Sequence, residues 1–179
     1  MEAHLEAWTR LDADGRFHFE VVCSRGSSLI RSHVLVAALE AEQRSRSEGG
    51  HHRAAVTSDN YALTLGAART GGLREVRLAP RRPSQLLIDG RVLVRSETGD
   101  MVRIEGRLSE NPSWWTRRVD IVRRYERING VRVPVEMTST ADVRVAGTST
   151  FAMSYEYTAI NGRRLTTRAH AGCSVGESG

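Results

Sequence analysis

SWWTRRVDIVRRYERINGVRVPVEM, residues Ser113 to Met137, can be read in two ways. A helix would set Trp115, Val119, Val122 and Tyr125 on one side and much of the arginine on another. A strand groups Trp115, Val119, Ile121 and Tyr125 by its period of two. The continuation decides between them. Val131, Val133, Val135, Met137, Ala141, Val143 and Val145 fall on odd positions, and Arg132, Pro134, Glu136, Thr138, Thr140, Asp142 and Arg144 on even ones. Only Ser139 interrupts the apolar series, so the stretch is predicted to be a pair of long, half-buried strands.

Asn129-Gly130 must be the bend between them. A two-residue turn would set Val133 opposite Glu126 and Val135 opposite Arg124, mixing the faces. A three-residue loop, Ile128-Asn129-Gly130, pairs Tyr125 with Val133 and Ile121 with Met137, and Gly130 supplies the left-handed residue. That register is expected because it aligns the apolar faces. Arg118, Arg124, Arg132 and Arg144 then point outward, while Arg117 and Arg127 lie near strand ends. Arg123 points inward, opposite Val135. A buried charge is costly, so Arg123 is expected to be paired or to sit at a cavity rim.

The same alternation runs through the rest of the chain. LEAWTRL and RFHFEVV flank DADG as a hairpin. SSLIRSHVLVAALEAEQRSR is the one clear helix, expected from about Ser28 to Arg46, with Ser27 or Ser28 as cap. A polar connection holding His51 and His52 follows. From Tyr61 onward, YALTLGA, LREVRLAP, QLLIDGRVLVRS, DMVRIEGRL, RRVDIVRRYERI, VRVPVEMTSTADVRV and TSTFAMSYEY read as strands. Leu86, Ile88, Val92 and Val94 share one parity, as do Val102, Ile104 and Leu108. The connectors are short and rich in glycine, which predicts an antiparallel meander. One helix of about 18 residues, ~27 Å long, cannot cover so much apolar sheet. The fold class expected is therefore mainly β with α: a curved antiparallel sheet with one main helix. A single domain should span residues 1–168, with a frayed Gly/Ser-rich tail over 169–179.

The chain has 179 residues, 40% hydrophobic and 26% charged, and a net charge of +5. All 26 basic residues are arginine. A GC-rich genome produces that bias unaided, so the basic balance does not by itself indicate nucleic acid. No apolar run approaches the ~18 residues of a membrane span. The first residues lack the charged and apolar regions of a signal peptide, and strand-like alternation begins almost at once, as expected if the true N-terminus lies upstream. Cys23 and Cys173 form no metal-ligand spacing and are expected to be unpaired thiols.

The order of segments resembles a known family. APRR ending a strand, the TGDMVRIEG hairpin, the aromatic SWWTRRV segment and the INGVRVPV hairpin are similar to the later half of bacterial outer-membrane lipoprotein-sorting proteins, the LolA/LolB-like periplasmic carriers. The resemblance covers roughly Tyr61 to Arg163. It implies a half-open β-barrel, lidded by helices, whose concave apolar face holds acyl chains. It also implies a location in the periplasm or cell envelope, with a lipid or lipoprotein acyl chain as ligand and an envelope protein as partner. This chain departs from the pattern in lacking an export signal and in offering one clear helix.

Trp8, Phe17, Phe19, Trp115, Ile121, Arg123, Tyr125, Val133, Val135, Phe151, Met153 and Tyr155 are the candidate ligand-binding residues around an inner apolar surface. Packing into a dry core is the plainer fate of such residues. DADG lacks the spacing and closing glutamate of a calcium loop. No P-loop, dinucleotide fingerprint or nucleophile elbow occurs. No catalytic residue, metal or cofactor is therefore expected. The leading expectation is a non-enzymatic lipid carrier or binding module. A nucleic-acid-binding domain with an arginine-rich sheet face, or an enzyme of unknown chemistry in a cavity-bearing β-fold, are the alternatives.

Overall fold

A computed structural model describes residues 3–12, 16–26, 39–40, 50–144 and 147–165. The chain divides into two compact units, one holding the described residues up to Ala55 and the other beginning at Val56.

The first unit contains an antiparallel hairpin of β1 (Ala3–Leu11) and β2 (Phe17–Gly26), as the alternation predicts. The turn residues 13–15 lie outside the described residues, as does nearly all of the helix expected from Ser28 to Arg46; Leu39 and Glu40 are helical. The tail expected over 169–179 also lies outside them. Where a polar connection was expected, a short helix, α1 (Gly50–Ala54), forms, and His52 on it is exposed. Cys23 is disulfide-bonded, which overturns the expectation of an unpaired thiol there. The chain's one other cysteine, Cys173, lies outside the described residues.

The second unit is built on a seven-stranded antiparallel sheet in meander order. Its strands are β3 (Tyr61–Arg69), β4 (Leu73–Pro80), β5 (Ile88–Arg95), β6 (Met101–Leu108), β7 (Thr116–Ile128), β8 (Val131–Val143) and β9 (Gly147–Ser154). Ser113–Met137 is thus strand, not helix. A small hairpin, β10 (Ala159–Ile160) and β11 (Arg163–Arg164), follows where no strand was expected. Its bend is a second Asn-Gly pair, Asn161 and Gly162, both with positive φ. Among the described residues β3 and β9 are not paired with each other, so the sheet is open. No helix among them is long and apolar enough to cross a membrane.

The core lies under β3 to β6. Tyr61, Leu78, Leu87, Val92 and Ile104 are buried together, and Val76, Ile88, Val94, Met101 and Tyr125 pack around them. Leu78 and Leu87 are wholly enclosed, each contributing about 1.5–3 kcal/mol of transfer free energy. Strand parity favours Leu86 over Leu87. The backbone turns at Ser84–Leu87, where the Leu87 N–H donates to the Ser84 carbonyl, and period-two counting fails across that turn. The Tyr61 hydroxyl accepts the Ile88 N–H at 3.0 Å, and burial pushes its pKa up.

Gly90 and Gly106 sit directly opposite each other on β5 and β6. A Cβ on Gly90 would lie 2.6 Å from the Gly106 Cα, and one on Gly106 would lie 2.7 Å from the Gly90 Cα. Side chains on this face would collide, so the strands bend towards it. The buried Leu78, paired with Gly90, shares that face. The glycine pair is therefore the crease about which the sheet curves over its apolar side.

The β7–β8 register differs from the expected one. Asn129 (φ 49°) and Gly130 (φ 79°) make a two-residue turn, so Glu126 faces Val133 and Tyr125 faces Pro134. Arg124 then faces Glu136, leaving Val135 as the extra residue of a β-bulge. Beyond it Arg123 faces Met137, Ile121 faces Ser139 and Val119 faces Ala141. The bulge shifts parity by one and aligns the apolar faces, which the three-residue loop was invoked to do.

Candidate functional site

Directly opposed residues of an antiparallel pair share a face, so the register defines rows across the sheet. One row runs Val76, Val92, Ile104, Arg123, Met137, Met153 from β4 to β9. The next runs Leu78, Gly90, Gly106, Ile121, Ser139, Phe151. The β4–β6 members with large side chains are mostly buried. On β7 to β9, Ile121, Arg123, Met137, Phe151 and Met153 are only half-buried. This second half of the apolar face is where an apolar ligand could lie.

Arg123 is the one charge in its row. Its Nη2 lies 3.1 Å from the Met137 Sδ, and the side chain is half-buried between Ile104 and Met137. The inward direction expected of it is observed, opposite Met137 rather than Val135.

Other candidates fare differently. Tyr125 faces the core side and packs against the core cluster. Val133 is buried, but opposite Glu126, so it does not share a face with Tyr125. Val135 occupies the bulge, and its carbonyl accepts the Tyr155 N–H at 2.9 Å. Tyr155 is half-buried just past the end of β9. Trp8, Phe17 and Phe19 belong to the β1–β2 hairpin. Phe17 and Phe19 share one side, with ring centroids 6.4 Å apart, whereas Trp8 faces Glu20 on the other side and is 58% exposed. Trp115 lies in the turn before β7, stacked on Trp114 with centroids 3.6 Å apart. These two rings are 47% and 69% exposed.

The opposite face of the sheet is a lattice of arginines and carboxylates. Glu75 is bonded by Arg69, with Arg91 at 3.9 Å; Glu105 is held between Arg91 and Arg103; Asp89 takes Arg77 and Arg107. Arg103 faces Arg124 directly, and each bonds a carboxylate, Glu105 and Glu136 respectively. The Arg69 hydrogen bond holds the Glu75 carboxyl below its ordinary value. A shallow groove of about 370 Å³ opens among Glu75, Arg77, Arg91, Glu105 and Asp120. Both of its arginines bond a carboxylate within the sheet, Arg77 to Asp89 and Arg91 to Glu105.

Met137, Trp114, Gly90 and Gly106 were not among the candidates. Mid-strand glycines in IDGRV and RIEGRL are the signal that could have located the crease. Among the described residues no group of three or more His, Cys, Asp or Glu could hold a metal ion. The chain matches no protein-family model, no curated protein and no solved structure.

Proposed function

We propose that this protein is a non-enzymatic binding protein or carrier for a lipid or a lipid-modified protein of the bacterial cell envelope. The observation that carries this reading is the half-buried apolar surface on β7 to β9, continuous with a buried core on β4 to β6. An acyl chain laid along Ile121, Met137, Phe151 and Met153 would leave water at about 0.8 kcal/mol per buried methylene. The crease at Gly90 and Gly106 favours a concave apolar side, in keeping with the half-open barrel of the lipoprotein carriers that the segment order resembles. The disulfide at Cys23 accords with an oxidising compartment such as the periplasm.

The paired state of the arginine lattice weighs against a nucleic-acid partner. Native mass spectrometry of gently purified protein tests the proposal, since retained lipid adds mass. A delipidated sample should then bind a fluorescent fatty acid with saturation. Protein that carries no added mass and binds no fatty acid would sink the carrier reading.

A further inference from the structure

The stacked pair Trp114 and Trp115 is not absorbed by an apolar face of the sheet. The rings stand exposed in the loop between β6 and β7, where a core role would bury them. In the meander, that loop emerges at the same end as the β4–β5 loop and the β8–β9 turn. Hydrogen bonds tie the first two together: the Ser84 N–H donates to Ser109 Oγ, the Ser109 hydroxyl donates to the Ser84 carbonyl, and the Ser109 N–H donates to the Leu87 carbonyl. The tie holds Leu86, 39% exposed, on the same end of the sheet as the tryptophans.

Charge at this end is biased. Arg81, Arg82, Arg117 and Arg144 are exposed, against the exposed carboxylates Asp59 and Glu110. Arg81 and Arg82 spend hydrogen bonds on neutral oxygens, the Ser58 carbonyl and Asn60 Oδ1, which leaves their charge uncompensated. Arg69, Arg77, Arg91, Arg103 and Arg107 of the sheet face, by contrast, each bond a carboxylate, with Glu105 and Asp89 each serving two of them. Exposed indoles beside unneutralised arginines suit a boundary between acyl chains and anionic headgroups, since indole is amphipathic and guanidinium bonds phosphate.

We propose that the sheet end bearing Trp114 and Trp115 docks onto an anionic bilayer surface, the indoles entering the headgroup boundary and Arg81, Arg82, Arg117 and Arg144 meeting lipid phosphates. This rests on the lipid-carrier reading for its setting, because a carrier must meet the membrane that gives or receives its cargo.

The test is co-sedimentation of the full chain with vesicles of phosphatidylcholine alone or with about a third phosphatidylglycerol. Binding is expected to the anionic vesicles, with a blue shift of tryptophan emission in a Trp8→Phe background. The Trp114→Ala/Trp115→Ala double variant should weaken vesicle binding about tenfold or more. Arg117→Glu/Arg144→Glu should weaken it and flatten its dependence on salt. Both pairs are exposed, and circular dichroism checks that the variants fold. Equal binding to both vesicle types, binding unaffected by the tryptophan variant, or a dimer that this variant dissolves while vesicles are ignored, each overturns the proposal. Fatty-acid binding measured in parallel separates the two readings: its loss with vesicle docking intact removes the carrier reading alone, and the reverse removes this one.

Discussion

Gly90 faces Gly106 across β5 and β6 so closely that a Cβ on either would lie under 3 Å from the other's Cα. The clashing atoms are backbone, which cannot move aside as the end of a flexible side chain can. Gly90→Ala and Gly106→Ala should each destabilise the protein by about 1–3 kcal/mol, through forced separation of two central strands. Urea unfolding checks this. A loss below a few tenths of a kcal/mol at both positions would mean that the crease is not a fixed feature of the sheet.

The β7–β8 turn makes a similarly local demand. Gly130 has φ of 79° with open space around its Cα, so only backbone conformation opposes a side chain there. Gly130→Ala should cost about 1–2 kcal/mol, whereas Asn129→Gly, at a φ of 49° that glycine adopts freely, should cost less. Equal losses at both positions in thermal or urea unfolding would contradict the two-residue turn.

That turn also explains what the sequence could and could not convey. Alternation marked all seven strands of the sheet and its meander order, because each strand buries one side and short glycine-bearing links join neighbours. Register was misread because a bulge adds one residue and silently reverses parity. Asn129-Gly130 is the strongest short signal for a two-residue turn, and Pro134 in a central strand is a signal for a bulge. Taken together they would have predicted the observed pairing. Parity counted from Val119 places Trp115 inward, yet SENPS before it is loop chemistry and the strand begins only at Thr116. Parity has no meaning outside a strand. The disulfide at Cys23 is not reported by the spacing of the two cysteines.

Asp100 and Arg127 should give a pH signature. The Arg127 guanidinium hydrogen-bonds the Asp100 carboxylate from Nε at 3.0 Å and from Nη2, and the Thr98 hydroxyl adds a bond at 2.9 Å. These bonds hold the Asp100 carboxyl below its ordinary value of 3.8. A carboxyl depressed on folding contributes stability fully above its unfolded value and loses it as the pH falls through the folded one. The stability difference between the protein and its Arg127→Gln variant should therefore be present at neutral pH and close in acid, below about pH 4. Carbon-detected NMR titration should show the Asp100 midpoint rising in the variant. An unchanged midpoint would show that the guanidinium does not hold this carboxylate in solution.

The functional reading makes its sharpest demand at Met153. Met153 ends the row that runs through Arg123 and Met137, is half-buried, and lies on the edge strand β9, where a longer side chain meets little packed structure. Met153→Arg should fold, yet place a charge where an acyl chain would lie. Desolvating that charge beneath a ligand should weaken fatty-acid binding about tenfold or more. Arg144→Glu, in the turn after β8, should leave soluble fatty-acid binding within about twofold, because any change there acts only through screened, long-range charge. A nucleic-acid-binding sheet would reverse the order, with Arg144→Glu lowering a steeply salt-dependent affinity and Met153→Arg raising it. Fluorescent fatty-acid displacement beside a DNA titration, on variants whose circular dichroism matches the parent, distinguishes the two. Unchanged fatty-acid affinity in Met153→Arg would remove β7 to β9 as the binding surface.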